Sequence, residues 1–292
     1  MTKLVSQLGL DALAERADQP KPIVIPTISP IDVSTSSTHT LAPEVNAREV
    51  FIDLALLKEA GMVTPDNSRS QISRDYRVIK RPLLNNVLGR SAAPIPNANL
   101  IMVTSGLQGE GKSFSSINLA MSIAMELDHT VLLVEADVIK PAIFKYLGLP
   151  RPATGLVDYL EKQTPLSDIL YKTNIPKLTL LPAGPPHERA AELLSSSGMT
   201  RLMLELSERY TDRIIIIDSP PLLLSSEAVA LSGLVGQIVM VVEAGKTPQT
   251  VVKDALALVN SQQVVGVVLN KTTSKERGYG YGVYGDFETE GV

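Results

Sequence analysis

From Asn99 onward, apolar runs of strand length alternate with helical stretches, and this alternation constrains the fold of the 292-residue chain more than any other feature. The runs are LIMVTS (100–105), TVLLVEAD (130–137), LTLLPAG (178–184), RIIIIDS (213–219), QIVMVVEAG (237–245) and VVGVVLNK (264–271). The segments 112–127, 188–209 and 247–260 between them read as helices. Near-continuous Val, Ile and Leu in a strand means burial on both faces. The sequence therefore predicts an α/β fold, a parallel β-sheet flanked by helices on both faces. Loops at the carboxyl ends of such strands form the ligand site. Aromatic residues are only 4% and Trp is absent, so the core has to be aliphatic.

Upstream the pattern is looser. Leu4, Leu8 and Ala12 space residues 3–17 as a short amphipathic helix, and residues 19–43 hold five prolines among many Ser and Thr, the composition of a linker. Helical patterns return at 46–60, with Gly61 as the stop, and at 70–81 before Pro82. Three regions follow from this: a partly disordered, partly helical N-terminal extension (1–70) containing the Pro/Ser/Thr-rich linker (19–43), a nucleotide-binding domain (71–277) and a flexible terminal segment (278–292). That last segment begins GYGYGVYGDF and places Tyr279, Tyr281 and Tyr284, three of the chain's eight tyrosines, among glycines. Glycine disfavours helix and strand interiors by roughly 0.5–1 kcal/mol each. Taken alone, the segment is either a terminus of biased composition or a set of phenols presented to an active site.

Composition excludes several classes. A net charge of −4 argues against a nucleic-acid partner held by bulk electrostatics. The absence of cysteine excludes disulfides, thiolate zinc and cysteine-ligated iron–sulfur clusters. No signal peptide is evident at the start. The longest mostly apolar stretch, 228–242, is interrupted by Ser232 and Gln237 and falls short of the ~18 apolar residues of a membrane span. It reads as a helix followed by a buried strand, so the chain is expected to be cytoplasmic.

The first strand of the alternation runs into GLQGEGKSF (106–114), where Gly106, Gly111, Lys112 and Ser113 complete the G-x-x-x-x-G-K-[ST] pattern of a P-loop. Glycines let backbone N–H groups curl around phosphate oxygens, and the following helix adds its positive N-terminal end. The loop and its exit, including Gly109, Glu110 and Phe114, are the expected nucleotide contacts. Lys112 would neutralise charge on the β- and γ-phosphates and Ser113 would ligate Mg²⁺. In VLLVEAD, Glu135 and Asp137 stand at the carboxyl end of the next strand, two residues apart and so on the same face. Asp137 is equally readable as a helix cap. In IIIIDSPP, Asp218 ends an apolar strand, the usual second support for Mg²⁺. The expected cofactors are thus ATP and Mg²⁺. His187 is weighed as a partner contact but reads better as a loop histidine, and Met102 and Met240 read as core.

These motifs resemble those of the bacterial tyrosine kinases of exopolysaccharide synthesis, P-loop autokinases related to the MinD/ParA ATPases. The likeness covers about residues 72–285. GLQGEGKS corresponds to that family's Walker A, VLLVEAD to its Walker A-prime and IIIIDSPP to its Walker B, and YRVIKRPLLNN (76–86) and GPPHERAAELLSSSGMTRLM (184–203) are also similar. Members encoded as separate chains with exosortase-linked systems are the most similar. The resemblance implies an ATP-dependent protein-tyrosine autokinase whose own Tyr279, Tyr281 and Tyr284 are the acceptors. Phosphoryl transfer to a phenol asks for a carboxylate base, and Asp137 is the expected one, with Glu135, Asp137, Asp218 and Ser113 around the metal and Lys112 on the transferring group; Asn270 resembles the family's adenine-side Asn and reads equally as a strand-end turn residue. The partners the resemblance implies are a homo-oligomer, a cognate tyrosine phosphatase and a two-span inner-membrane polysaccharide co-polymerase that activates in trans and holds the chain peripheral to the membrane. The chain departs from the family at Glu135, usually Asp, and at Ile139, often Arg, with Lys140 beside it. The family's E-x-x-R-x-x-R helix aligns with Arg74, Arg77 and Lys80, so its acid is missing. Leu107 replaces the signature lysine of MinD/ParA proteins. A MinD/ParA-type ATPase switch without kinase activity and a non-enzymatic nucleotide-binding adaptor are the alternatives the residues leave open.

Overall fold

A computed structural model of the chain describes residues 48–209, 213–261 and 263–272. The expected helix at 3–17, the linker 19–43 and Tyr279, Tyr281 and Tyr284 lie outside the described residues. In chain order the elements are β1 (Arg48–Val50), α1 (Leu54–Glu59), α2 (Gln71–Val87), β2 (Leu100–Ser105), α3 (Lys112–Ala124), β3 (Thr130–Glu135), α4 (Ile143–Tyr146), α5 (Leu156–Lys162), α6 (Leu166–Ile169), β4 (Tyr171–Thr173) and β5 (Leu178–Leu181). They continue with α7 (Ala190–Leu194), α8 (Ser197–Arg209), β6 (Arg213–Asp218), α9 (Ser226–Ser232), β7 (Gln237–Glu243), α10 (Gln249–Ala257) and β8 (Val264–Asn270).

All eight strands join one sheet in the order β1-β4-β5-β3-β6-β2-β7-β8. Its pairings are parallel except for β4 with β5, so the sheet is mixed only toward one edge. The central strands explain the apolar runs. Ile214 and Ile216 of β6 point into one core layer, with Ile101, Val103, Leu133 and Val239, against α2 and α3. Ile215 and Ile217 point into the other, with Met102, Leu132, Val134 and Met240, against α8 and α9. Strand alternation thus sends neighbouring residues to opposite layers, and both layers are buried. Burying each isoleucine stabilises the fold by roughly 1.5–3 kcal/mol.

Three elements differ from the sequence reading. Residues 46–60 are not one helix: β1 pairs with β4, and α1 starts at Leu54 under the Asp53 cap, whose carboxylate accepts from Ala55 N and Leu56 N. The Asn174 side chain donates to Ile52 O and accepts from Ile52 N, prolonging the edge pairing as a third strand would. Ile52, Leu57, Met62 and Val63 are core residues, so packing of the nucleotide-binding domain begins upstream of residue 71. The helix at 70–81 runs on through Pro82 to Val87. The stretch 188–209 breaks at Ser195–Ser196 into α7 and α8. Residues 228–242 are, as expected, a helix end followed by the buried strand β7. Among the described residues no helix is long and apolar enough to cross a membrane.

Candidate active site

The sheet order places β2 beside β6 and β6 beside β3, so three adjacent parallel strands end on one edge. Register brings Asp218 opposite both Val103 and Glu135. From β2 the chain enters the phosphate loop, with Gly109 at φ +86° and Gly111 at φ +103°. A Cβ at Gly111 would collide with the Asn270 amide. Glycine is therefore demanded there twice, by backbone conformation and by space.

The loop is braced from beneath by its own glutamate. Glu110 is buried, and its carboxylate accepts from Leu107 N at 2.6 Å, from Glu243 N at 3.5 Å and from the Thr247 hydroxyl. From above, Asn270 Nδ2 donates to Glu110 O at 2.9 Å and Lys271 Nζ donates to Gly109 O at 2.7 Å. Lys271 also pairs with Glu243 at 3.0 Å. The Asn270 and Lys271 bonds occupy the carbonyls of Glu110 and Gly109, and the loop N–H groups other than that of Leu107 are the donors an anion would use. Sequence reasoning missed Glu243 and Thr247, because they reach the loop only through the Glu110 carboxylate and Lys271 and carry no motif of their own.

Asp218 is fully buried at 0% exposure. Ser113 Oγ donates to its Oδ2 at 2.6 Å and Ser116 Oγ to its Oδ1 at 3.0 Å. Ser116 sits one turn after Ser113 on α3, a spacing that could have marked it. Burial pushes the Asp218 carboxyl up to about 7, against the lowering effects of Ser113, Lys112 and Ser116. Lys112 Nζ lies 4.0 Å from Asp137 Oδ2. Asp137 is also raised by burial, opposed by the Lys140 N–H that its Oδ1 accepts at 3.1 Å and by the charges of Lys112 and Lys140. Lys140 Nζ then reaches Gln108 Oε1 at 3.1 Å, tying this loop to the phosphate loop.

A cavity of about 680 Å³ opens over these groups. Gly109, Gly111, Lys112, Ser113, Phe114, Asp137 and Asn270 line it, so most of the expected nucleotide contacts share one space. Ile72, Tyr76 and Ile79 of α2 form a further wall, and burial pushes the Tyr76 phenol up to about 12. Thr272, the last described residue before the tyrosine segment, lines the same cavity.

Glu135 stands apart. β3 ends at this residue, the following Ala136 N and Asp137 N both donate to Asp218 O, and the two acids diverge. Glu135 is 2% exposed, and its oxygens accept from Ile143 N at 2.7 Å and Ala183 N at 3.3 Å. It holds the entry of α4 against the exit of β5, and its carboxyl is raised chiefly by burial. Lys80 is likewise used internally: Nζ reaches Ser122 O at 2.5 Å and Glu126 at 2.6 Å, fastening α2 to the end of α3. His187 pairs with Glu161 at 2.9 Å.

Among the described residues no three His, Cys, Asp or Glu side chains converge as a self-contained metal cage. The donor set present, a hydroxyl touching a carboxylate beside a phosphate loop, suits Mg²⁺, which takes one or two protein ligands and completes its shell from phosphate and water.

No protein-family model matches the chain. Curated relatives do. The tyrosine-protein kinase YwqD of Bacillus subtilis is 34% identical over 184 residues, covering 62% of this chain and 76% of YwqD. The succinoglycan biosynthesis transport protein ExoP of Rhizobium meliloti is 31% identical over 246 residues, covering 82% of this chain but only 29% of ExoP. Among solved structures, the chimerical protein CapA2B2 superposes with a TM-score of 0.62 at 26% identity, covering 77% of this chain and 93% of that one.

Proposed function

The chain belongs to the bacterial tyrosine-kinase family, and on that premise we propose that this protein-tyrosine kinase transfers the γ-phosphoryl of ATP to Tyr279, Tyr281 and Tyr284 of its own terminal segment. One observation carries the proposal: Lys112, Ser113 and Asp137 line a single cavity whose wall also includes Thr272, seven residues before Tyr279. Seven residues span up to about 25 Å, enough to bring a phenol back to this cavity or to a second copy's.

The loop N–H groups and Lys112 hold the phosphates and take up charge on the transferring group. Ser113 and Asp218 would hold Mg²⁺, which would supply positive charge against that of the phosphates. Asp137 accepts the phenolic proton, and its raised pKa makes it a better base toward a phenol of pKa near 10. A bond forms from the tyrosine oxygen to the γ-phosphorus, the bond from that phosphorus to the bridging oxygen breaks, and ADP leaves. Glu135 serves by fixing the loop that carries Asp137. Asn270 serves by fixing the phosphate loop.

Lys112→Met and Asp137→Asn should each remove phosphotyrosine from the purified protein incubated with Mg-ATP, and Asp137→Asn should retain nucleotide binding. Phosphotyrosine persisting in Lys112→Met would mean that this loop is not its source. Deleting residues 278–292 should remove most self-phosphorylation. An ATPase switch would keep its turnover unchanged and carry no phosphotyrosine at all.

The likeness to ExoP supports a role in exopolysaccharide synthesis and export, and the 71% of ExoP beyond the match supports a separate membrane co-polymerase as this chain's partner. We place the kinase at the inner membrane through that partner.

A further inference from the structure

A second cavity, of about 540 Å³, adjoins the nucleotide cavity across the loop 137–141. Asp137 and Lys140 face the first cavity, while Val138, Ile139 and Pro141 face the second. Its apolar lining continues with Phe144, Leu149, Pro152 and Pro186, and Ile139 is 65% exposed at its edge. Two exposed cations, Lys145 and Arg151, stand on it, and neither side chain makes a hydrogen bond or ion pair among the described residues. Glu135 also borders it, but that carboxylate is spent on Ile143 N and Ala183 N. The cavity thus offers an apolar trough with positive charge and asks for an acidic peptide bearing a large apolar side chain.

The chain supplies such a peptide. Twenty residues follow Thr272, and from Gly278 to Val292 they contain Asp286, Glu288 and Glu290 and no Lys or Arg. Phe287 lies among the acids, and Tyr284 lies two residues before the first of them. Building on the reading of the terminal segment as acceptor, we propose that the trough between α4 and residues 149–152 is the acceptor-docking site. Phe287 enters the apolar lining, Asp286 and Glu288 meet Lys145 and Arg151, and Tyr284 is thereby set at the loop that carries Asp137. Lys145 and Arg151 are specificity-determining residues, and Tyr284 is the favoured acceptor over Tyr279.

The test is the rate of phosphate entry at each tyrosine of the full chain, followed by phosphopeptide mass spectrometry after mixing with Mg-ATP. Wild type should modify Tyr284 first. Lys145→Glu with Arg151→Glu should slow Tyr284 by about tenfold, the effect of two exposed ion pairs reversed, while affinity for a fluorescent ATP analogue stays unchanged. Adding Asp286→Lys and Glu288→Lys to that variant should restore the rate, a rescue that a merely structural role for the cations would not show. An unchanged Tyr284 rate in the charge-reversed variant, or no recovery with the swapped tail, overturns the docking site. No phosphate anywhere in 278–292 of the wild type would instead overturn the acceptor reading beneath it.

Discussion

Asp218 ends a run of four isoleucines inside the molecule, and only two serine hydroxyls and a distant ammonium offset its burial. Its folded pKa, about 7, stands above the ordinary 3.8. A raised acid keeps its full stability contribution below the unfolded value and loses it as pH rises through the folded one. Without nucleotide, the protein should therefore lose stability between about pH 4 and pH 7, by an amount on the order of a few kcal/mol. Asp218→Asn should raise the melting temperature of the ligand-free protein at pH 8 and abolish Mg-dependent nucleotide binding. Calorimetry with and without Mg-ATP checks both. Because metal binding needs the ionised carboxylate, kcat/KM should fall as pH drops below about 7. Gly111→Ala meets both a positive φ and the Asn270 amide, so it should cost about 1–3 kcal/mol and most of the nucleotide affinity. At this scale the loop residues were legible in the chain, since each follows from a local demand of phosphate on backbone. Glu135 was not: its direction depends on where β3 stops, and the Asp218 carbonyl decides that by capturing the next two N–H groups.

The helix α2 shows how an element outlasts its own signals. Pro82 was expected to end it, for a proline removes one N–H and crowds the carbonyl a turn earlier. That carbonyl belongs to Val78, an exposed residue of the helix. Lys80 before the proline bonds to α3, and beyond it Leu83 O accepts from Gln237 Nε2 while Asn86 donates to Gln237 Oε1, so both halves are anchored. Pro82→Ala should raise stability by about 1–2 kcal/mol in urea unfolding, since the anchors stay and the missing bond returns. Thr247→Ala removes a hydroxyl from the Glu110 carboxylate and should raise KM for ATP several-fold with little change in melting temperature, because only the loop is loosened. The short strands β1 and β4 escaped sequence reading for a related reason. Arg48–Val50 and Tyr171–Thr173 are three residues each and have no alternation to betray them. Their pairing is secured by the Asn174 amide and by Arg48, which bonds to Tyr171 and Thr154.

For the whole molecule, charge governs what phosphorylation would do. The chain carries −4, and three phosphotyrosines at about −1.5 to −2 each would take it to about −8.5 to −10. Copies associated in an oligomer should then repel and separate, and light scattering before and after incubation with Mg-ATP would read this as a fall in mass. An unchanged mass would remove charge as the release mechanism. The sequence by itself determined the layered α/β architecture, because doubly buried strands can be satisfied only between two layers of helices. It also determined the phosphate loop, because glycine, lysine and serine at that spacing answer a local chemical demand. Tertiary structure alone decided the strand order that seats Asp218 between the phosphate loop and the Asp137 loop. It decided as well the clamp of Glu110, Thr247, Asn270 and Lys271 and the trough beside Lys145 and Arg151. Each of these joins residues far apart in the chain, and such contacts exist only once the sheet has chosen its order.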